Sequence, residues 1–300
     1  MTHTIIDNQI SSYIYNYLEK LTDPDSKQLL QYSINLHSAW TSVLDRLEVN
    51  DDDSVLDIGT GLGLVPIDLG SKTLAKVTGC DISPKYVSLA KDLLARIRES
   101  DMILSNDSIS FDVADIESLP YDSNSFSKVI VREVFSYLQN PAKAANEIAR
   151  VTKLGGKIIV EDIDDSLYIT YPEPSQSFEH LLDIVRKLQS DKGGDRKVGR
   201  KLSNYLVDAG LSVTKIEVLT DSTHLNSEQI WVEKEFIARQ LIAVKPDAVT
   251  RGITTIDQFD RAFNSWLTEE IRPGFRMNAR VLVWAEKKID DFQRKVFSIS

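Results

Sequence analysis

The segment Val55-Leu56-Asp57-Ile58-Gly59-Thr60-Gly61-Leu62-Gly63 constrains this chain more than any other. A short apolar run ends in three alternating glycines and passes into an amphipathic stretch, the pattern of a buried strand turning sharply into a helix. Glycines at such a turn let a ligand approach the backbone, and the helix start beyond it offers free N–H groups. A turn that only had to be tight would need one glycine, so three point to a cofactor turn. The spacing narrows the ligand. A dinucleotide fingerprint wants Gly-x-Gly-x-x-Gly, yet from Gly59 the third position falls on Leu64, and from Gly61 on Pro66. A P-loop needs Gly-Lys before Ser or Thr, and Gly156-Lys157 is followed by Ile158.

Around this turn, apolar runs alternate with amphipathic helices. Strands are predicted at Val55 to Ile58, Lys76 to Cys80, Ile109 to Val113, Lys128 to Val131 and Lys157 to Glu161, with Val213 to Leu219 and Arg280 to Ala285 completing seven. The alternation predicts an α/β fold, a doubly wound, mainly parallel seven-stranded Rossmann-like sheet. Ser83-Pro84 and Asn140-Pro141 signal helix starts, and Gly155-Gly156 and Gly210 helix ends. Residues 1–50 read as an N-terminal helical lid: one helix carries Ile10, Tyr13, Ile14, Tyr17 and Leu18 on one face, and a second, from about Ser26 to Leu47, carries Leu30, Ile34, His37 and Leu44. Residues 51–300 then form the α/β domain. Two segments exceed its usual connections: Ile163 to Val198, and a helical insertion over 221–277, with helices expected at Ser227 to Val244 and Thr255 to Ile271 and a break at Pro246 and Gly252. These are the expected specificity elements.

Composition sets the partners. With 35 Lys+Arg against 45 Asp+Glu the net charge is −10, so the chain repels a phosphate backbone and nucleic acid is not the expected substrate. The densest basic stretch, Lys192 to Lys201, reads as a solvated helix start. The single Cys80 excludes an intrachain disulfide and a cysteine-rich metal site and suits a reducing compartment. The opening MTHTIIDNQI has no signal-peptide pattern, and no apolar run approaches a membrane span. A cytoplasmic protein without membrane contact is expected.

Two acidic positions extend the glycine turn. Asp81, at the end of the second strand, is placed to accept hydrogen bonds from ribose hydroxyls, a general device of these folds; helix capping near Ser83-Pro84 is the alternative. Asp115-Ile116, after the third strand, either meets an adenine ring or forms a loop Asx-turn.

These residues together resemble the class I S-adenosylmethionine-dependent methyltransferases, in the small-molecule branch similar to the ubiquinone/menaquinone-biosynthesis enzymes and their natural-product relatives. VLDIGTGLG resembles the first motif, VTGCDIS the ribose strand, FDVADIESLPYDSNSFSKVIVREVFSYLQNP the adenine turn and fourth strand, and EIARVTKLGGKIIVEDID the fourth helix and fifth strand; GRKLSNYLVDAGLSVTKIEVL matches what usually follows. The resemblance covers about Ser54 to Leu219. It implies S-adenosylmethionine as cofactor, S-adenosylhomocysteine as product, and Asp57, Gly59, Thr60, Gly61, Gly63, Asp81, Ile82, Asp115, Ile116 and Arg132 as cofactor residues. The sequence departs from the family at Thr60, often Cys, at Leu62, often small and polar, and at Tyr137, commonly His. No glycine is lost, and the departures bear on the acceptor.

Transfer from an activated sulfonium needs alignment first and a base only if the acceptor must lose a proton. Candidates near the methyl are Arg132, Tyr137, Asp162 and Tyr168, at strand ends where ligands gather in open α/β sheets, with His224 as a further proton acceptor. Tyr13 and Tyr17 read as core, and His37 as a buried structural histidine. No metal-binding spacing occurs. The leading expectation is methylation of O, N or C in a small molecule, a secondary metabolite or quinone precursor. A peptide or protein methyltransferase and a non-catalytic cofactor-binding regulator are the alternatives, and a dehydrogenase fits least. A homodimer contact through the N-terminal helices or the insertion is open.

Overall fold

The computed structural model describes residues 8–99, 108–270 and 272–288. The chain opens with α1 (Asn8–Lys20), which buries Ile10, Ile14, Tyr17 and Leu18 along one face while Tyr13 stays half-exposed. Asp23 then caps α2 (Pro24–Leu47): its carboxylate accepts from Ser26 N–H at 2.8 Å, and Pro24 occupies the first turn, where its missing N–H costs nothing. The α/β units follow as β1 (Ser54–Ile58), α3 (Leu64–Lys72), β2 (Lys76–Asp81), α4 (Pro84–Arg98), β3 (Ile109–Val113), β4 (Phe126–Arg132), α5 (Pro141–Val151) and β5 (Thr152–Ile163). Next come β6 (Ile169–Tyr171), α6 (Gln176–Asp191), α7 (Leu202–Asp208), β7 (Ser212–Leu225), α8 (Ser227–Thr250), α9 (Ile256–Leu267) and β8 (Gly274–Glu286).

The sheet runs β3-β2-β1-β4-β5-β8-β6, with β7 on the other side of β8. β1 to β5 pair in parallel, and β8 is antiparallel to β5, β6 and β7. Chain order reverses between β1 and β4, so the crevice for a ligand lies at the carboxyl ends of these strands. Alternation along the strands sorts two faces. Leu56, Ile58, Val129, Val131, Ile158, Val160, Val281 and Val283 pack with α5 and α7. On the opposite face Val55, Ile130, Ile159 and Leu282 pack under Trp40, Val43, Leu44 and Leu47 of α2. α1 and α4 share a third cluster with Leu62, Leu64 and Phe111.

The mainly parallel, doubly wound sheet agrees with the expectation, and among the described residues the short β6 brings the strands from the expected seven to eight. β6 spans three residues, too few for a period-two pattern to register. β7 also runs past the expected Leu219 to Leu225, and β8 starts at Gly274, well before Arg280. The ladder they form continues beyond the edge where β5 stops, and its last rung pairs Leu225 with Gly274. The insertion proposed over 221–277 is therefore helical only from Ser227 to Leu267. α8 also passes through Pro246 instead of breaking there. Interior proline costs a helix roughly 3 kcal/mol, but Leu241 and Ala248 on either side are buried against α6 and α9 with Leu181, Ile184, Leu188, Phe259 and Trp266, and that packing holds the helix together.

Candidate cofactor and methyl-transfer site

The glycine turn closes β1 onto β2. Gly59 and Thr60 both donate backbone N–H to Cys80 O, at 2.8 and 2.9 Å, and all three glycines have positive φ: 74°, 54° and 81°. Gly63 precedes α3 in tight contact with the core, since a Cβ there would lie 2.4 Å from Phe111 Cζ. Gly61 differs. Among the described residues a Cβ on it would meet only Leu29 Cδ2 of α2, at the ordinary contact distance of 3.8 Å, so those residues leave its side-chain direction open beneath α2.

Asp81, the last residue of β2, is fixed from two sides. One carboxylate oxygen accepts from Gly61 N–H and the other from Ser83 N–H, each at 2.9 Å. The acid is thus coupled to the turn, and the exposed Ile82 stands beside it. Asp115 forms the Asx-turn that the sequence left as an alternative, accepting from Glu117 N–H at 2.9 Å. Ile116 is buried in the core with Ala114 and Leu119, so its side chain is not free to cover a ring; Ile82 and Val113 are exposed apolar side chains at this end.

At the carboxyl ends of β4 and β5 the polar groups divide between the two faces. Under α2, Asp57 is 3% exposed and burial pushes its acid up to about 6, against the pull of the Arg132 charge. The Arg132 guanidinium stands 5.2 Å from the Trp40 ring centre, with Nη1 buried and lacking a hydrogen-bond partner among the described residues. Next to it in register is Glu161, fully buried and pushed up to about 8 by burial. His37, a buried residue of α2 itself, has Nε2 3.3 Å from Asp68 Oδ2 of α3, and burial lowers its pKa.

Asp162 lies on the other face. It accepts from Ser136 N–H at 3.0 Å and from Ile163 N–H at 2.8 Å and is fully buried. Burial pushes it up to about 7. Both oxygens hold backbone, as those of Asp81 do, and pin the 3-10 turn Phe135–Tyr137. That turn presents Tyr137, which is 66% exposed. His224 stands apart from this end. It pairs with Phe275, five rungs beyond Leu219 and Arg280, which is about 17 Å along the ladder at 3.4 Å per residue.

Four site residues escaped the sequence. The Tyr32 hydroxyl lies 2.7 Å from both oxygens of Glu133, Arg280 Nε donates to Glu133 at 2.6 Å, and Glu161 sits 3.5 Å from the same nitrogen. They come from α2, the end of β4, β5 and β8, and no local spacing links them. The signals available were Glu133 just after an apolar strand and Arg280 within RVLVWA. A surface hollow of 340 Å³ lined by Gln176, Ser177, His180, Gln258, Arg261 and Ala262 belongs to α6 and α9 and includes none of these residues.

Comparison with known proteins agrees with this geometry. Residues 56–160 match the methyltransferase domain family. The chain is 34% identical over 119 residues to methyltransferase GfsG of Streptomyces halstedii, covering 40% of this chain and 41% of that protein. It is 28% identical over 131 residues to a ubiquinone/menaquinone biosynthesis C-methyltransferase of a Geobacter species, covering 43% and 53%. It thus spans about half the length of these curated relatives. Among solved structures, the YcgJ protein of Bacillus subtilis superposes with a TM-score of 0.55 at 16% identity, over 84% of this chain and 99% of the other. The glycine turn and Asp81 therefore lie within the stretch that matches the methyltransferase domain family.

Proposed function

We propose that the protein transfers the methyl group of S-adenosylmethionine to an O, N or C atom of a small-molecule acceptor. One observation carries the reading: Gly61, whose side-chain direction is open, donates its N–H to the Asp81 carboxylate. A backbone that a ligand can approach and an acid for its ribose are thereby built as one unit. The residues present fit the cofactor. Gly59, Thr60, Gly61 and Gly63 would receive its amino-acid end and Asp81 its ribose. Ile82 and the Asp115 turn, with the backbone of Ile116, would border its base. Asp57 lies behind the turn, where its influence on the cofactor is through Arg132.

When bound, the cofactor supplies a methyl already activated on a sulfonium, so the protein's work is alignment and exclusion of water. Tyr137 and Arg132 are the side chains we assign to the acceptor side. α1 and α2 act as the lid, and α6, α8 and α9 form a cap over the acceptor. A cytoplasmic location, supported by the single free Cys80, and a homodimer using exposed Trp231, Val232 and Ile242 of α8 complete the reading. No helix among the described residues is long and apolar enough to cross a membrane.

Isothermal titration with S-adenosylhomocysteine, with NAD as control, tests the cofactor assignment. Binding at micromolar concentrations that weakens at least about tenfold in Asp81→Ala is expected, since the substitution leaves buried polar partners unpaired. Absence of binding by folded wild-type protein, or preference for NAD, would sink it.

A further inference from the structure

α2 meets the edge of the sheet at three points in order along its length. Asp23, its cap, pairs with Lys85 at the start of α4 at 2.6 Å. Leu29 faces Gly61. Tyr32, three residues on and so on the same helical face, holds Glu133 with its hydroxyl. The helix therefore lies as a strap from the Asp81 end of the cofactor turn to the end of β4. Its last fastening is built on an unusual residue. Glu133 adopts a left-handed backbone, φ 54°, which non-glycine residues occupy only where the surroundings impose it. Its N–H donates to Glu161 O at 2.9 Å, and Val134 after it packs against Gly59.

Arg280 stands between two carboxylates. Its Nε donates to Glu133 Oε1 at 2.6 Å, while Glu161 Oε1 lies 3.5 Å from the same nitrogen. Among the described residues neither Glu161 oxygen has a hydrogen-bond partner, although the side chain is fully buried. An orphaned carboxylate is expensive to keep, and this one lies within a small movement of a guanidinium already engaged elsewhere.

We propose that Arg280 is a positioning residue with two stations: on Glu133 it fastens α2 across the cofactor turn through Tyr32, and on Glu161 it lets α2 go, so that cofactor exchange depends on which carboxylate takes the guanidinium. This rests on the methyltransferase reading above. The charge balance gives the switch a direction. Burial and the neighbouring Glu133 and Asp162 raise the Glu161 acid, against Arg280 and Arg132, to about 8. From α2, Tyr32 faces the cluster with its hydroxyl held protonated by burial and by Glu133. Below that pH Glu161 is neutral and competes weakly for Arg280. Above it, Glu161 is an anion and competes well, so release should quicken with rising pH.

The test is stopped-flow dissociation of S-adenosylhomocysteine from the full chain, read by tryptophan fluorescence between about pH 6.5 and 9, with Tyr32→Phe and Glu161→Gln beside wild type. The wild-type dissociation rate should rise several-fold across that range. Tyr32→Phe should dissociate roughly tenfold faster at neutral pH, the loss of a charge-assisted hydrogen bond, while keeping the wild-type far-ultraviolet circular dichroism of a folded chain. Glu161→Gln should lose the rise with pH. Wild-type rates in Tyr32→Phe, or an intact pH rise in Glu161→Gln, would overturn the proposal while leaving the methyltransferase reading in place. Failure of wild-type protein to bind S-adenosylhomocysteine at all would overturn both.

Discussion

Replacing Gly63 or Gly61 by alanine separates what the turn does for stability from what it does for the ligand. Both glycines have positive φ, 81° and 54°, where a Cβ costs an L-residue roughly 1–2 kcal/mol. At Gly63 the new methyl also lands 2.4 Å from Phe111 Cζ, 2.7 Å from Cε1 and 3.2 Å from Ala90 Cβ. Phe111 is buried and cannot swing away, so overpacking adds about 1–3 kcal/mol. Gly63→Ala should thus lose about 2–5 kcal/mol in all, against about 1–2 kcal/mol for Gly61→Ala. At about 2–4 °C per kcal/mol for a chain of this size, Gly63→Ala lowers the midpoint by roughly 4–20 °C and Gly61→Ala by roughly 2–8 °C. Affinity should rank the other way. The Gly61 methyl occupies the open space under α2 and should weaken S-adenosylhomocysteine at least about tenfold, while folded Gly63→Ala binds more nearly normally. Differential scanning fluorimetry gives the midpoints, and calorimetry well below them gives the affinities. Equal losses of stability, or normal binding by Gly61→Ala, would refute the geometry.

Two further outcomes follow from buried groups. Glu161 has its acid raised from 4.5 to about 8, so its contribution to stability is complete below the unfolded value and is lost as pH climbs through about 8, at up to about 1.4 kcal/mol per unit. Asp162, raised to about 7, has the same sign. Thermal midpoints of wild type should therefore fall more steeply between about pH 5 and 8 than those of Glu161→Gln, and parallel curves would count against the burial argument. Phe259, 1% exposed and stacked on Phe263 at 5.9 Å, anchors α9 in the cap. Phe259→Ala should cost about 3–5 kcal/mol locally, raising hydrogen exchange in α6, α8 and α9 while β1 to β5 stay protected; uniform loss of protection would show that the cap is not a separate layer.

The sheet and the cofactor turn were legible because their information is local. Val55 to Gly63 carries its own strand, turn and helix start, and Ser83-Pro84 its own cap. The methyl end was not. Asp162 looked available because it ends an apolar strand, and sequence does not say that Ser136 and Ile163 would take both its oxygens. His224 looked close because the strand was expected to stop at Leu219; the longer ladder carries it away. Glu133, Tyr32 and Arg280 are separated by up to 248 positions, and only the packing of α2 on the sheet brings them together. That Ile116 is buried while Ile82 is exposed escaped the sequence for a related reason, since burial on one side of a loop is decided by what packs there.

The last rung of the β7 and β8 ladder, Leu225 opposite Gly274, has a consequence for how such a protein changes over generations. Everything between those two residues leaves the sheet and returns to it at a single point, so α8 and α9 form a cassette. They can lengthen, shrink or be exchanged for other sequence, with a short hairpin as the limiting case, without altering a strand register near Asp81 or Glu133. α6 must change in step, because Leu181, Ile184 and Leu188 share its apolar contacts, and so must Arg276 of β8, which pairs with Glu233 of α8. The sequence of the two helices is thereby free to drift while the glycine turn stays constant.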